Sequence, residues 1–415
     1  MFINNKLPEL LAPAGNMERL KAAFKFGADA VYLGAPAMSL RNFADNFTFE
    51  ELKEACAYAH ERGKKVYLAC NSFAHNKDME TLPEILQNAR ECEVDALIVN
   101  DPGVIAMARR LVPEIELHLS TQANTLNSQA AAFWHEAAGI KRIVLARELT
   151  LKEIGDICKN APEGLEFEAF VHGAMCISFS GRCLLSNYLT GRDSNKGECA
   201  QPCRWSYEIR EKGKDGEYFP IVQDDLGTHI LNSRDMMLIE HLPEVIASGV
   251  CSLKIEGRMK SVLYVSTVVN AYRMALDIYA ESVQTGKPYV LPQSIRNELN
   301  MVSHRPYTTG FAFGDPGAQG QSTPTSKYVS DCEISAVVLE YDEAEKTALV
   351  RQRNRFFVGD TLSILAPYDV GRSFVVTDMV NDDGEHQQVA PHPNQHLRIP
   401  CEETLKPGDV LRKAK

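Results

Sequence analysis

The chain has 415 residues, 45% of them hydrophobic and 24% charged, and a formal net charge of −11. That length exceeds one ordinary domain, and the composition excludes a disordered chain. The acidic balance argues against indiscriminate nucleic-acid binding, which needs positive charge at phosphates, while leaving room for a basic patch on one face. The opening, MFINNKLPELLAPAG, has no basic segment followed by a long apolar run. No stretch approaches the roughly 20 apolar residues that span a bilayer, so a cytoplasmic protein with no membrane partner is expected.

Short β-branched apolar runs alternate with amphipathic stretches of helical period through about the first 280 residues. Strands are predicted at Glu9–Ala12, Ala30–Gly34, Lys65–Cys70, Ala96–Asn100, Glu116–Ser120, Arg142–Ala146, Leu165–Val171 and Cys251–Glu256. Eight parallel strands close a barrel. Helices over Asn16–Phe26 and Phe49–Glu61 each have a glycine just past the end, Gly27 and Gly63. An open doubly wound sheet is the rival architecture, but no GxGxxG follows the first strand.

About eighty residues separate the seventh and eighth strands, against roughly 2–6 in an ordinary βα loop. This insert, about 172–250, holds a cysteine cluster and a hairpin-like stretch, Tyr207–Arg210 and Tyr218–Val222 around Lys214–Gly216. A helix over Ser261–Tyr279 follows, then a Pro/Gly-marked bridge, Gly286–Gly320, with one short helical stretch near Ser294–Met301. From about Asp331 onward, EISAVVLEY, KTALVRQRN, GDTLSIL and SFVVTDMV read as short strands of a small all-β barrel or sandwich. The expected fold class is α/β. A (β/α)8 TIM-like barrel occupies 1–285, a bridging segment 286–330, and a C-terminal β-barrel-like domain 331–415.

In such barrels the C-terminal strand ends build the active site. Here they carry Asn71, Asn100-Asp101, Ser120-Thr121-Gln122, Arg147-Glu148, His172-Gly173 and Glu256-Gly257-Arg258. For Asp101 and Thr121 a capping or turn role explains the residue equally well. Lys254, Glu256 and Arg258 alternate, which places them on one strand face as a buried charge network that must be paired to be tolerable. Arg147 or Arg258 would hold a small anionic molecule.

Eleven cysteines in a reducing compartment point to metal or catalysis, not disulfides. Four of them, Cys176, Cys183, Cys199 and Cys203, follow the spacing C-x6-C-x15-C-x3-C just beyond the seventh strand. Converging thiolates hold zinc or an iron–sulfur cluster, and this uneven spacing favours a 4Fe–4S cluster with zinc second. Four ordinary reduced cysteines are the plain alternative. The other seven are read as small core hydrophobes.

The run EAFVHGAMCISFSGRCLLS resembles the signature of the collagenase-like peptidase family U32, and ELLAPAG, ADAVYLGA, LNSRDM and SLKIEGRMKS match it in order over nearly the whole chain. No HExxH, GxSxG or other hydrolytic motif accompanies it. The branch of this family with an extra C-terminal β-domain resembles the prephenate-dependent tRNA hydroxylases that make 5-hydroxyuridine at the wobble position. The resemblance implies a barrel, a 4Fe–4S cluster on Cys176, Cys183, Cys199 and Cys203, prephenate as cosubstrate, and hydroxylation without oxygen. Met236 stands where some relatives have a cysteine, which fits the subgroup whose last ligands form a C-x3-C pair.

On that resemblance Arg147, Arg258 or Lys254 would neutralise the two carboxylates of prephenate, with Asn71 and Gln122 as further substrate-binding groups. Glu256 or His172 would move protons and Arg258 would complete the catalytic set. The tRNA anticodon loop, the small dicarboxylate and an electron-transfer partner are the expected partners; a wobble base is single-stranded and can be splayed into a pocket. Arg351, Arg353 and Arg355 alternate along TALVRQRNRFF and would form a positive stripe for RNA, or equally the charged guard of an edge strand. A peptidase and a non-catalytic iron–sulfur assembly protein are the competing functions.

Overall fold

The computed structural model describes residues 7–34, 46–196, 198–205, 223–224, 227–228, 233–320 and 330–415. The hairpin-like stretch predicted over 207–222 lies outside them. The chain divides into two compact units: residues 1–24, 28–260 and 305–328, and residues 25–27, 261–304 and 329–415. Among the described residues no helix is long and apolar enough to cross a membrane.

In the first unit, strands β1 (Glu9–Pro13), β2 (Ala30–Leu33), β3 (Lys65–Cys70), β4 (Ala96–Val99), β5 (Glu116–Leu119), β6 (Arg142–Val144) and β7 (Glu166–Ala174) pair in parallel, each with the next. After the short β8 (Gln223–Asp224), β9 (Gly227–Thr228) and β10 (Asp235–Met237), strand β11 (Ser252–Ile255) pairs in parallel with both β7 and β1. The eight-stranded parallel barrel is thereby closed, as the strand count predicts. Helices α1 (Met17–Lys25), α2 (Phe49–His60), α3 (Asn76–Glu91), α4 (Pro102–Leu111), α5 (Ser128–Ala138) and α6 (Leu151–Lys159) fall between the first seven strands. Their starts follow capping chemistry: Thr48 and Thr150 each form a capping box with the glutamate three residues on, and Asp101 accepts from the Gly103 and Val104 amides. Asp101 is thus accounted for as a cap.

Two features of the barrel top were not predicted. β10 runs antiparallel to the far end of β7, with Met237 opposite His172, and β12 (Tyr307–Thr308) pairs with β10. Arg305 anchors this rim, its guanidinium and amide bonding the buried Asp235 carboxylate at 2.6, 2.9 and 3.1 Å. The second feature is a bulge where β11 meets β7: Lys254 pairs with Phe170 and Ile255 with His172, so the register slips by one residue at Val171.

The insert after β7 carries α7 (Leu185–Thr190), and α8 (Leu242–Ala247) precedes β11. In the second unit, α9 (Val262–Thr285) and α10 (Gln293–Glu298) join an antiparallel sheet, so the compact boundary falls near 261 and not at the predicted 285. Local chemistry explains that grouping. The Asn270 amide donates to the Ala366 and Asp369 carbonyls and accepts from Tyr368 N, while Glu298 forms a two-toothed ion pair with Arg412. The sheet consists of β13 (Cys332–Asp342), β14 (Thr347–Gln352), β16 (Thr361–Leu365), β17 (Ser373–Val375), β18 (Val380–Asn381), β20 (His396–Pro400) and β21 (Val410–Ala414); β15 (Phe356–Phe357) and β19 (Val389–Ala390) form a separate pair. Alternate residues Ala348, Val350 and Leu397, Ile399 face its core with Phe356 and Leu411.

Candidate active site at the barrel top

The barrel interior is apolar only in part. Leu11, Ala30, Tyr32, Tyr67, Ala96 and Ile98 form a small cluster, and beside it runs a ladder of paired charges. Arg142 on β6 bonds Glu9 at 2.7 Å and Glu166 at 2.9 Å, and the Tyr67 hydroxyl donates to Glu9 at 2.7 Å. Glu168 on β7 accepts from Lys254 on β11 at 2.7 Å and from Ser252 Oγ at 3.1 Å. Burial alone would raise the Glu168 carboxyl, but the Lys254 and Arg142 cations outweigh it and hold it below the usual carboxylate range. Burial also lowers the imidazole of His118 below its usual range, against the pull of Glu116.

Above this ladder lies a cavity of about 140 Å3 lined by the C-terminal strand ends. Asn71, Gln122, Arg147, Lys254, Glu256 and Arg258 all border it. Six of the seven barrel residues proposed from sequence for substrate binding or catalysis therefore converge. The basis for two of them differs from strand alternation: β11 ends at Ile255, so Glu256 and Arg258 reach the cavity from the turn beyond it.

The environment of each is specific. Arg147 donates to the Ala174 carbonyl at 2.9 Å and to Ser180 Oγ at 2.8 Å, and its Nε is buried with no partner. Asn71 donates to Ser120 Oγ at 2.9 Å, leaving Oδ1 buried and unpartnered, as is Gln122 Oε1. Buried polar atoms without partners are costly, and three around one cavity mark it as built for a polar ligand. The Tyr32 hydroxyl sits 2.8 Å from the Glu256 carboxylate. Gly181, at φ +74°, lets the covering loop approach Gln122; a Cβ there would stand 2.3 Å from Oε1.

His172 is not brought into this chamber. It is buried in β7 with its ring 5.4 Å from that of Tyr307, and it does not line the cavity. The bulge at Val171 shifts the strand's phase by one residue, so the alternation that turns Phe170 inward does not carry on to His172. Lys254 is committed to Glu168, which the sequence reading did not foresee. An acidic residue inside the apolar run EFEAFV, facing a lysine strand, was the available signal.

Cys176, Cys183, Cys199 and Cys203 line an adjoining cavity of about 300 Å3, which shares Gln122, Arg147, Ser180, Ser194 and Glu256 with the first. The covering loop is fastened by Ser194 Oγ donating to the Cys183 carbonyl at 2.7 Å and by Phe73 N to the Asn195 carbonyl at 3.2 Å. Among the described residues no three His, Cys, Asp or Glu side chains stand together closely enough to hold a metal ion. The four thiols border one space without meeting at one point. Their donor chemistry nevertheless fits a thiophilic centre: four cysteines line a common cavity, and the Gln201 backbone amide donates to Cys199 Sγ at 3.3 Å. The remaining cysteines differ. Burial pushes the Cys70, Cys158 and Cys251 thiols up to about 12 and Cys401 to about 11, which keeps them protonated.

Glu148 lies in the turn beyond β6. Burial raises its carboxyl above the usual range against the opposing pull of Arg147, and its Oε2 is buried without a partner. It lines a further cavity of about 410 Å3 that also reaches Cys176.

The arginine stripe is corrected. β14 ends at Gln352 and is flanked by both β13 and β20, so it is no edge strand. Only Arg351 projects from it; Arg353 and Arg355 lie in the turn that follows, where alternation does not apply.

A closed parallel barrel with a polar, arginine-bearing chamber at its C-terminal strand ends is the architecture of a barrel enzyme. The chain belongs to peptidase family U32: residues 15–322 match the profile of that family and residues 330–412 that of the U32 C-terminal domain. It is 38% identical over 410 residues to tRNA hydroxylation protein P1 of Bacillus subtilis, covering 99% of this chain and 96% of that one. It is 35% identical to tRNA hydroxylation protein P of Escherichia coli, covering 96% and 95%. A collagenase of Porphyromonas gingivalis is 32% identical, with 97% of each chain covered.

Proposed function

We propose that this protein is a tRNA-modifying oxidoreductase that hydroxylates the wobble uridine to 5-hydroxyuridine, with prephenate as cosubstrate and a 4Fe–4S cluster on Cys176, Cys183, Cys199 and Cys203. The observation that carries the reading is the shared wall between the four-cysteine cavity and the chamber holding Arg147, Gln122 and Glu256. The relatives named as tRNA hydroxylation proteins supply the substrate class.

Replacing C–H by C–OH at a base carbon is a two-electron oxidation that side chains do not perform unaided, and the cluster would supply the redox chemistry. The chain's own residues bind and orient. The unpartnered Arg147 Nε donates to a carboxylate of the cosubstrate, the unpartnered Asn71 Oδ1 and Gln122 Oε1 accept from its hydroxyl, and the buried Arg258 adds a second positive charge. Glu256, poised by Tyr32, holds or accepts a proton at its carboxylate. Mass spectrometry of tRNA from a deletion strain tests the reading: 5-hydroxyuridine should vanish and return with the gene. Unchanged tRNA together with collagen cleavage by the pure protein would replace it with the peptidase reading.

Arg147→Lys keeps the charge but loses the fork, so the KM for the cosubstrate should rise roughly 10- to 150-fold, the worth of a charged hydrogen bond. Steady-state kinetics decide the point, and an unchanged KM would remove Arg147 as the anion anchor. In the C-terminal unit, Arg351 on β14 and Arg353 and Arg355 in the turn beyond it do not share one strand face, but each would contact a phosphate without reading sequence. Mutating all three to Gln should make the salt dependence of tRNA binding shallower by roughly 2, at about 0.7 per single-stranded contact. A titration series at several ionic strengths checks this, and an unaltered slope returns the three to ordinary surface charge.

A further inference from the structure

The loop that carries the cysteines exposes much apolar surface. Tyr188 is 84% exposed and Leu184 70%, while Phe179, Leu189, Trp205 and Met259 are each at least 41% exposed. Single exposed hydrophobics need no explanation, but five within residues 179–205 and a sixth, Met259, lining the same cavity as Phe179, concentrate apolar surface as an interaction site does. They are held together locally. Ser186 on α7 accepts from Ala200 N at 3.0 Å, which ties α7 to the 202–204 turn leading into Trp205, and Phe179 and Met259 line the mouth of the four-cysteine cavity.

Cations are interleaved with these side chains. Segment 176–205 contains four basic residues, Arg182, Arg192, Lys196 and Arg204, against two acidic ones, Asp193 and Glu198, in a chain whose overall charge is −11. Arg182 and Arg192 are exposed, and Arg192 and Lys260 border the cavity. Local positive charge on an acidic protein selects a polyanion. Aromatic faces among arginines, opening on a polar chamber, are what a strand with unstacked bases requires; a duplex would keep its bases hidden.

We propose that this rim is the docking surface for a single-stranded RNA loop. Bases stack on Tyr188 and Trp205, Arg182 and Arg192 meet phosphates, and one splayed base enters between Phe179 and Met259. The inference rests on the reading of the protein as an RNA-modifying enzyme and names the surface that reading leaves open.

Fluorescence anisotropy of the full chain with a labelled stem–loop RNA of anticodon-arm size tests it, with a blunt RNA duplex of equal length as comparison. Wild-type protein should favour the stem–loop. Tyr188→Ala and Trp205→Ala should each weaken binding roughly 5- to 150-fold, the range for loss of one stacked base. Arg182→Gln with Arg192→Gln should make the salt slope shallower by about 1.4. Phe133→Ala, at a 59% exposed position on α5, should change nothing. Because all these positions are exposed, melting temperature and metal content serve as folding controls. Stem–loop binding by wild type that the Tyr188 and Trp205 variants retain would overturn the surface and leave the enzyme reading standing. Equal affinity for the duplex would overturn stacking as its basis. No stem–loop binding by wild type would sink the RNA reading itself.

Discussion

Protein prepared without oxygen should be brown and carry about four iron atoms per chain, and replacing Cys176, Cys183, Cys199 or Cys203 by alanine should bleach it. The structure separates these four from the rest of the cysteines on two grounds. They share one cavity at the active-site end of the barrel, whereas Cys56 is buried in α2 with its thiol pushed far up by burial and by the neighbouring Cys92. Cys56→Ala should therefore keep iron and colour, at the cost of a small cavity. Iron analysis and the visible spectrum give the answer together. Colourless protein loaded with zinc from the same anaerobic preparation would sink the cluster assignment, and bleaching by Cys56→Ala would sink the choice of ligands.

The largest effect on stability is expected at Glu168. Its side chain is 1% exposed and its partner Lys254 5%, at 2.7 Å. Glu168→Ala leaves a buried ammonium beside the rings of Tyr32 and Phe170, with centroids 4.5 and 5.6 Å away, which compensate it only in part. Losing one partner of a buried pair costs about 3–5 kcal/mol, which lowers the melting temperature by on the order of 10 °C for a domain of this size. Adding Lys254→Met should restore most of that loss, since a buried pair replaced on both sides is often neutral. The double variant should still be inactive if Lys254 faces the cosubstrate. A melting temperature unchanged in Glu168→Ala would show that the pair is dispensable.

The same pair sets an acid limit. The folded-state pKa of Glu168 is depressed, so its contribution is complete above the unfolded value of about 4.3 and is lost as pH falls through the lower folded value. Glu168→Gln should flatten the acid limb of a stability-against-pH profile. A limb of unchanged steepness would assign it to other carboxylates.

Strand number, order and parallel direction were legible because each strand is a β-branched run bounded by turns, and the observed limits fall within about two or three residues of the expected ones. The C-terminal antiparallel domain was legible for the same reason. The rim strands were not: β10 has three residues and β12 two, too few to show any period, and the pairing of β10 with β7 and of β12 with β10 joins positions far apart in the chain. The membership of α9 was hidden too, because its buried residues occupy nearly every turn and say nothing about which neighbour covers them.

For the site, sequence by itself determined which residues stand at strand ends, and hence Asn71, Gln122, Arg147 and Glu256 as chamber groups, since parallel strands in a barrel all end at one face. The cysteine spacing also singled out the four residues that border one cavity. Tertiary structure alone decided the partners. A single-residue bulge at Val171 turned His172 toward Tyr307, and Glu168 met Lys254 on the neighbouring strand β11. Ser180 came back from the insert to hold Arg147. Periodicity reports the face of an element, and a one-residue slip or a contact between remote segments leaves no trace in it.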